Sequence, residues 1–252
     1  MKNLYSLFAL SLLVAAASCS EPKELVSVEG GSIKVEASSC EDGAEDVRNI
    51  LERTALAVDS IKRPVIGEAA MTLEKRIPES PLMNFAADAL LLMARDVTGE
   101  HVDIAITNKG GLRSNISVGT ITFGDIYNVF PFENTLALLT LNGEQLMQLC
   151  SEIASVGGEA ISGMRIVMTR QGELVSVTVG GKPIDKAKSY RVATSDYLSQ
   201  GNDRMTALAQ GTDCVVKSDI TIRDLMVMYI KGLHSKGERL SAECDGRITV
   251  KE

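Results

Sequence analysis

The residues with the clearest chemical potential lie in "TNKGGLRSN", residues 107–115, directly after the apolar stretch "VDIAI". Two adjacent glycines, Gly110 and Gly111, allow the backbone to approach a ligand closely. Arg113 adds a planar guanidinium whose N–H donors suit a phosphate or a carboxylate. The segment could therefore bind a small anion. A tight turn with a solvated arginine is the simpler explanation when the motif is considered alone.

A second group of interest, "FPFEN" at residues 130–134, lies nineteen residues beyond Arg113 in a chain with only 4% aromatic residues. Pro131 restricts the backbone there. Phe132 could offer a flat face to an aromatic ring, and Asn134 could form hydrogen bonds with the edge of that ring. A phenylalanine buried in the core is the alternative interpretation.

The third group is "SDYLSQGND", in which Tyr197 ends a predicted strand and Asp203 follows six residues later, beyond a glycine. An aromatic ring and a carboxylate so placed could stack on a base and accept hydrogen bonds from sugar hydroxyls. A buried tyrosine and a solvated loop aspartate explain the same pattern without a ligand.

Catalytic patterns are scarce in this sequence. A metal-dependent hydrolase needs clustered His and Asp ligands, whereas this chain has two histidines, His101 and His234. The first precedes a predicted strand and the second ends a predicted helix, where surface roles are common. Neither GxSxG nor SxxK occurs, so we expect no catalytic residues and no metal site in this chain.

The first eighteen residues predict an export leader, because Lys2 precedes an apolar run and small residues precede Cys19. The stretch "AAASC" resembles a bacterial lipobox, which predicts lipidation of Cys19; a plain signal peptide is the alternative. No later segment is long and apolar enough to span a bilayer. The lipid would then be the only membrane contact, on a protein of the cell envelope in the periplasm or outer membrane.

The balance of charge limits the possible partners. A formal net charge of −7 disfavours nucleic acids and anionic membrane surfaces. It also means that an anion site needs its own local positive charge. An exported compartment permits disulfides, but the sequence selects no pairing among Cys40, Cys150, Cys214 and Cys244.

The helical and strand patterns mix without strict βαβ alternation, which predicts an α/β (mixed α+β) fold with a mixed sheet and packed helices. We expect a tether over residues 19–44, with a hairpin around its Gly-Gly pair, and a single domain over residues 45–252. Ser80 and Pro81 predict a helix start. The apolar residues of that helix have helical spacing: Leu82, Phe85, Ala86, Ala89, Leu90 and Met93.

In their order and spacing, "NKGGLR", "FPFEN", "ISG" and "SDYLSQGND" resemble the C-terminal domain of the 5′-nucleotidase family. The usual forms there are approximately N-x-G-x-I-R, P-F-x-N, S-G and D-F-L-x-x-G-G-D. The resemblance extends from about Glu45 to Val250. This chain departs from the pattern at three positions, which are Leu112 for isoleucine, Tyr197 for phenylalanine and Asn202 for glycine.

The resemblance implies that the chain is a substrate-specificity domain. Phe132 and Tyr197 would clamp a nucleobase, Asn134 would contact the base and Asp203 the ribose. The resemblance also implies that Arg113 and Arg76 contact the phosphate. Asn108 and Gly163 would line the pocket.

The family's N-terminal metallophosphatase domain, with its metal-binding motifs, has no counterpart in this sequence. We therefore expect half of a split 5′-nucleotidase, with a separate metallophosphatase chain that holds the divalent metals and no cofactor in this chain. A non-catalytic nucleotide- or nucleoside-binding lipoprotein is the first alternative. A structural domain that has lost its pocket is the second, and the retained pocket residues argue against it.

Overall fold

The structure is a computed structural model that describes residue 27 and residues 29–32 and 45–251. The predicted leader, Cys19 and most of the tether with its hairpin lie outside the described residues. The chain divides into two units, 1–49 and 50–252. All the site residues considered below belong to the second unit.

The predicted helix after Ser80 and the predicted helix that ends near His234 are both present. The 18-residue helix after Ser80 begins as predicted, because the Ser80 side chain accepts a hydrogen bond from the backbone N–H of Met83 and Pro81 follows it. No helix among the described residues is long and apolar enough to cross a membrane. The α-helices are α1 (Glu45–Lys62), α2 (Pro81–Thr98), α3 (Phe123–Val129), α4 (Gly143–Ser155), α5 (Asp196–Ser199) and α6 (Ile222–Ser235).

The strands form three sheets, of which the central one has five strands in the order β10-β4-β9-β2-β5. In that sheet β2 is parallel to β9 and the other neighbours are antiparallel, so the predicted mixed sheet is confirmed. The strands are β1 (Val65–Ala69), β2 (Ile104–Thr107), β3 (Gly119–Thr122), β4 (Thr135–Asn142), β5 (Ala160–Ser162), β6 (Met164–Thr169), β7 (Leu174–Val179), β8 (Lys182–Pro183), β9 (Ser189–Ser195), β10 (Thr212–Thr221) and β11 (Ile248–Lys251).

Both faces of the central sheet are buried at strand β4. On β4, Leu136 and Leu138 belong to the apolar cluster that includes residues of α2 and α6. Leu139 and Leu141, which alternate with them, belong to the cluster that includes residues of α4 and β6. Burial on both faces explains why β4 is nearly continuously apolar. It also fixes the register, since a shift by one residue would exchange the two faces.

Three segments differ from the sequence prediction. Tyr197, predicted at the end of a strand, lies in α5, because β9 ends at Ser195. The stretch "GTITFGDIYNVF" predicts a turn and then a short helix, but its residues 119–122 form β3 and pair with β1 before α3 begins. The ten-residue strand β10 was not predicted; it lies at an edge of the central sheet, where charged residues such as Asp213 and Lys217 are tolerated because one side faces solvent. The apolar spacing in "EDVRNILERTALAVDSI" predicts a helix, which is present as α1, and its apolar side chains at Ile50 and Leu51 are exposed.

The described cysteines are all free thiols. Cys150 is buried, and burial raises the pKa of its thiol to about 12. Cys214 and Cys244 are exposed. Cys40 lies outside the described residues.

Candidate functional site

The directions of the strands bring three loops together at one end of the strands of the central sheet. The neighbours β2 and β9 are parallel, so their carboxyl ends lie side by side. Strand β4 is antiparallel to β9, and its Leu136 is paired with Ser195, so the amino end of β4 lies at the same end of the sheet. The three sequence groups thus come together from residues 107–113, 130–134 and 195–204.

These loops enclose a cavity of about 350 Å³, which we call the strand-end cavity. It contains six of the eight predicted substrate-binding residues, and the geometry brings them together from positions up to 95 residues apart. The lining residues are Asn108, Gly110, Arg113, Phe132, Asn134, Tyr197 and Asp203.

The other two predicted residues do not line this cavity. Gly163 has a φ of 81°, and a Cβ atom there would lie 2.2 Å from the carbonyl oxygen of Asp103. This backbone crowding requires a glycine whether or not a ligand is bound. Arg76 is exposed, and its guanidinium forms an ion pair with Glu74 at 2.8 Å. Contact of either residue with substrate remains a prediction.

The two aromatic residues of the cavity are not core residues. Phe132 is 48% exposed and Tyr197 is 37% exposed, in a chain whose other large apolar side chains are mostly buried in the two clusters. The alternative of a buried phenylalanine and a buried tyrosine is therefore wrong. Both rings are available to stack on a flat ligand.

The loop that carries Phe132 is held in place by α6. The buried Arg223 donates a hydrogen bond to the carbonyl oxygen of Phe130 at 3.0 Å and forms an ion pair with Glu133. Its guanidinium also lies 4.6 Å from the ring centroid of Tyr127. Arg223 was not predicted, because nothing local in "TIRDLM" relates it to a loop ninety residues earlier.

The first loop, residues 107–113, is anchored by an ion pair between Lys109 and Glu159 that was not predicted. The Lys109 ammonium lies 2.9 Å from a carboxylate oxygen of Glu159 and also donates to the carbonyl oxygens of Val156 and Gly158. Burial raises the pKa of Glu159, and the hydrogen bonds and charge of Lys109 oppose that shift. The Lys109 ammonium therefore stabilises the loop. The positive charge among the residues that line the cavity comes from Arg113.

Gly111 makes room for Asn108. A Cβ atom on Gly111 would lie 2.8 Å from the side-chain oxygen of Asn108, so a larger residue would displace the amide. The Asn108 amide in turn donates a hydrogen bond to Asp203 at 2.6 Å. Gly111 thus supports a polar contact across the cavity.

The third loop, residues 195–204, is held together by hydrogen bonds from its own side chains. The Tyr197 hydroxyl donates to a carboxylate oxygen of Asp203 at 2.9 Å, and this bond to Asp203 is the main cause that raises the pKa of Tyr197. Asn202, which replaces the usual glycine, donates from its amide to the carbonyl oxygen of Tyr197 at 2.8 Å. The backbone turns at Asp203, whose φ is 54°.

Within the part of the chain that the structure describes, no group of three or more His, Cys, Asp and Glu residues could hold a metal ion. His101 is exposed and contacts Asp103, and His234 is exposed near the end of α6. The side chains that line the strand-end cavity supply two aromatic faces, one guanidinium, one carboxylate and two amides. These groups can bind a ligand by stacking, ion pairing and hydrogen bonding.

Comparison with known proteins agrees with this geometry. The family model for the 5′-nucleotidase C-terminal domain matches residues 60–210. The trifunctional nucleotide phosphoesterase protein YfkN of Bacillus subtilis is 29% identical over 236 residues, which is 87% of this chain and 15% of the relative. A probable 5′-nucleotidase of Treponema pallidum is 28% identical over 158 residues, 56% of this chain and 27% of the relative.

The fold is also similar to that of solved structures. A 5′-nucleotidase precursor from Thermus thermophilus superposes with a TM-score of 0.71 at 28% identity, covering 81% of this chain and 43% of that one. The NAD nucleotidase of Haemophilus influenzae, at 19% identity and a TM-score of 0.63, supports the fold alone. This chain spans less than a third of the two curated relatives named above and less than half of these two solved structures. By the family match, the chain belongs to the 5′-nucleotidase C-terminal domain family.

Proposed function

We propose that this chain is the nucleotide-recognition half of a split 5′-nucleotidase-type phosphohydrolase. A separate metallophosphatase chain would cleave the phosphate ester of a nucleotide bound in the strand-end cavity. The complex would act outside the cytoplasm in nucleotide breakdown, held in the cell envelope by a lipid on Cys19.

The observation that carries the proposal is the content of the strand-end cavity. Phe132 and Tyr197 present exposed rings, and Arg113 places a guanidinium in the same cavity of about 350 Å³. A nucleotide has one flat apolar end and one anionic end, so these groups match both ends. In a protein with a net charge of −7, a local cation is needed to attract phosphate.

The hydrolytic part of the reaction is assigned to the partner chain. Phosphohydrolases of this kind use metal ions to polarise the phosphoryl group and generate the attacking hydroxide. The described residues offer no set of three or more His, Cys, Asp and Glu that fits a metal ion, so we place the divalent metals on the partner. The names of the YfkN relative and the Thermus structure support phosphoester chemistry for such assemblies.

The solvent exposure of the cavity also favours a second protein chain that covers it. Both rings keep more than a third of their surface accessible, so a bound base would remain partly in water. Closure by a second surface would remove that water and strengthen the polar contacts. A nucleoside-binding lipoprotein without hydrolytic function is the alternative, and it requires tight binding by this chain alone.

Reconstitution tests the proposal. We expect this chain, mixed with a metallophosphatase chain encoded beside it, to change the rate or the substrate preference of that chain on nucleoside monophosphates. Calorimetry with the isolated chain should show weak binding of AMP and adenosine. If mixing changes nothing while the isolated chain binds nucleosides tightly, the binding-lipoprotein alternative replaces the split enzyme.

A further inference from the structure

Lys75, in the segment after β1, is bonded to the part of the chain around Arg113, 34 to 40 residues later. Its ammonium donates hydrogen bonds to the carbonyl oxygens of Leu112 at 2.7 Å and Lys109 at 3.3 Å. Its backbone N–H donates to the side-chain oxygen of Asn115 at 3.1 Å. Lys75 therefore contacts the chain on both sides of Arg113.

Other contacts hold the backbone of the first loop. The ion pair described above anchors Lys109, and the side chain of Leu112 is buried. The backbone N–H of Arg113 donates to the carbonyl oxygen of Val129 at 2.9 Å. The loop thus keeps its backbone position by contacts of its own, and the Lys75 ammonium acts on the carbonyl oxygens.

These carbonyl oxygens matter for a phosphate because they lie close to Arg113. The Arg113 guanidinium has a long hydrogen bond of 3.4 Å to the carbonyl oxygen of Gly110, so a carbonyl oxygen of this turn is within its reach. A carbonyl oxygen without a donor would accept from the guanidinium and would also repel a phosphate. The Lys75 ammonium occupies the oxygens of Leu112 and Lys109 and adds a positive charge beside them. The donors of Arg113 are thereby left for an anionic ligand.

We propose that Lys75 is a positioning residue for phosphate recognition. By occupying two carbonyl oxygens of the first loop, its ammonium directs the Arg113 guanidinium toward the phosphate of a nucleotide. Lys75 is not among the residues that line the strand-end cavity, so it acts through Arg113. This inference rests on the proposed nucleotide-recognition function. It gives Lys75 a role in the preference for nucleotides over nucleosides and none in binding the base or the sugar.

Calorimetric titration with AMP and adenosine tests the inference. Lys75→Met should lower the affinity for AMP about tenfold and that for adenosine by less than about twofold, because the effect acts on the phosphate contact. Adenosine binding by the same variant shows that its fold is intact. Lys75→Arg, whose guanidinium can donate to the same two carbonyl oxygens, should bind AMP within about threefold of wild type.

A double-mutant cycle with Arg113→Ala separates positioning from direct contact. In the Arg113→Ala background, Lys75→Met should lower AMP affinity by less than about twofold further, because the group that Lys75 positions is absent. Lys188→Met is the control for the change in net charge. It removes an exposed lysine directly before β9, at the opposite end of that strand from the cavity, and should leave both affinities unchanged.

Three results would overturn the inference and leave nucleotide recognition standing. Equal losses for AMP and adenosine in Lys75→Met would show a role in the fold alone. A tenfold loss that persists without Arg113 would show that Lys75 contacts the ligand itself, and an unchanged AMP affinity would show no role (about tenfold being the loss expected for the single variant). A wild-type chain that binds neither AMP nor adenosine contradicts the proposed function itself.

Discussion

Phe132 exposes about half of its surface and lines the strand-end cavity, so its ring is accessible to a ligand there. We predict that Phe132→Ala weakens adenosine binding by about 1–3 kcal/mol, the usual loss for one stacked base. Calorimetry with adenosine and uridine measures the effect. Val118→Ala, which removes an exposed apolar side chain away from the cavity, should have none. Equal affinities of Phe132→Ala and wild type would exclude stacking on this ring.

Arg113 should distinguish phosphorylated from unphosphorylated ligands. Among the described residues its guanidinium has one hydrogen bond, a long one of 3.4 Å to the carbonyl oxygen of Gly110, which leaves donors for a phosphate. We predict that Arg113→Ala costs about 1.5–3 kcal/mol in AMP binding and little in adenosine binding. Arg239→Ala, at an exposed arginine paired with Glu68, is the control. A loss of the same size for both ligands would show that Arg113 acts on the fold of the loop instead.

At the scale of elements, α6 positions the loop of Phe132 through Arg223. Replacement by methionine, which keeps an unbranched stem but lacks the guanidinium, removes the bonds to Phe130 and Glu133. We predict that Arg223→Met lowers the free energy of unfolding by about 1–3 kcal/mol and also weakens adenosine binding. Denaturant unfolding and calorimetry measure the two effects. If stability falls while adenosine affinity is unchanged, α6 does not position the loop.

The loop of residues 107–113 depends on the buried Lys109–Glu159 pair, which should be visible in the pH dependence of stability. Burial raises the pKa of Glu159 in the folded state, so the folded protein takes up this proton more readily than the unfolded chain. The stability from this group is complete below the ordinary value of 4.5 and is lost as pH rises through the higher folded value. We predict a smaller pH dependence above 4.5 in Glu159→Gln, measured by denaturant unfolding. An unchanged profile would contradict the raised pKa.

The sequence was informative where the signal is local and silent where contacts are distant. Each site loop follows or precedes an apolar strand, so hydrophobic patterning located the loops, and the family motifs selected the residues that meet in the cavity. Arg223 and Glu159 were missed because their partners lie 93 and 50 residues away. Strand β10 was missed because its exposed edge position permits charged residues that mask the strand pattern.

For the whole molecule, the net charge and the solvent exposure of the strand-end cavity together limit how it can bind a phosphate. The net charge of −7 acts against anionic ligands at a distance, whereas Arg113 attracts them locally. A half-open cavity with one guanidinium can orient a nucleotide, but it does not surround the phosphate. Under the proposed split arrangement, most of the contacts to the phosphoryl oxygens would come from the metallophosphatase chain.

The proposed split between a recognition chain and a catalytic chain predicts how the isolated recognition chain behaves. We predict that the purified chain releases no phosphate from nucleoside monophosphates in the presence of Mn²⁺, Zn²⁺ or Mg²⁺, because the described residues provide no set of ligands to hold a metal beside the cavity. A phosphate-release assay on material free of contaminating phosphatase measures this, with the reconstituted mixture as the positive control. Arg113→Ala should then impair the mixture on nucleotides more than it impairs adenosine binding by the isolated chain. Metal-dependent turnover by the chain alone would mean that the catalytic groups lie within it and that the split arrangement is wrong.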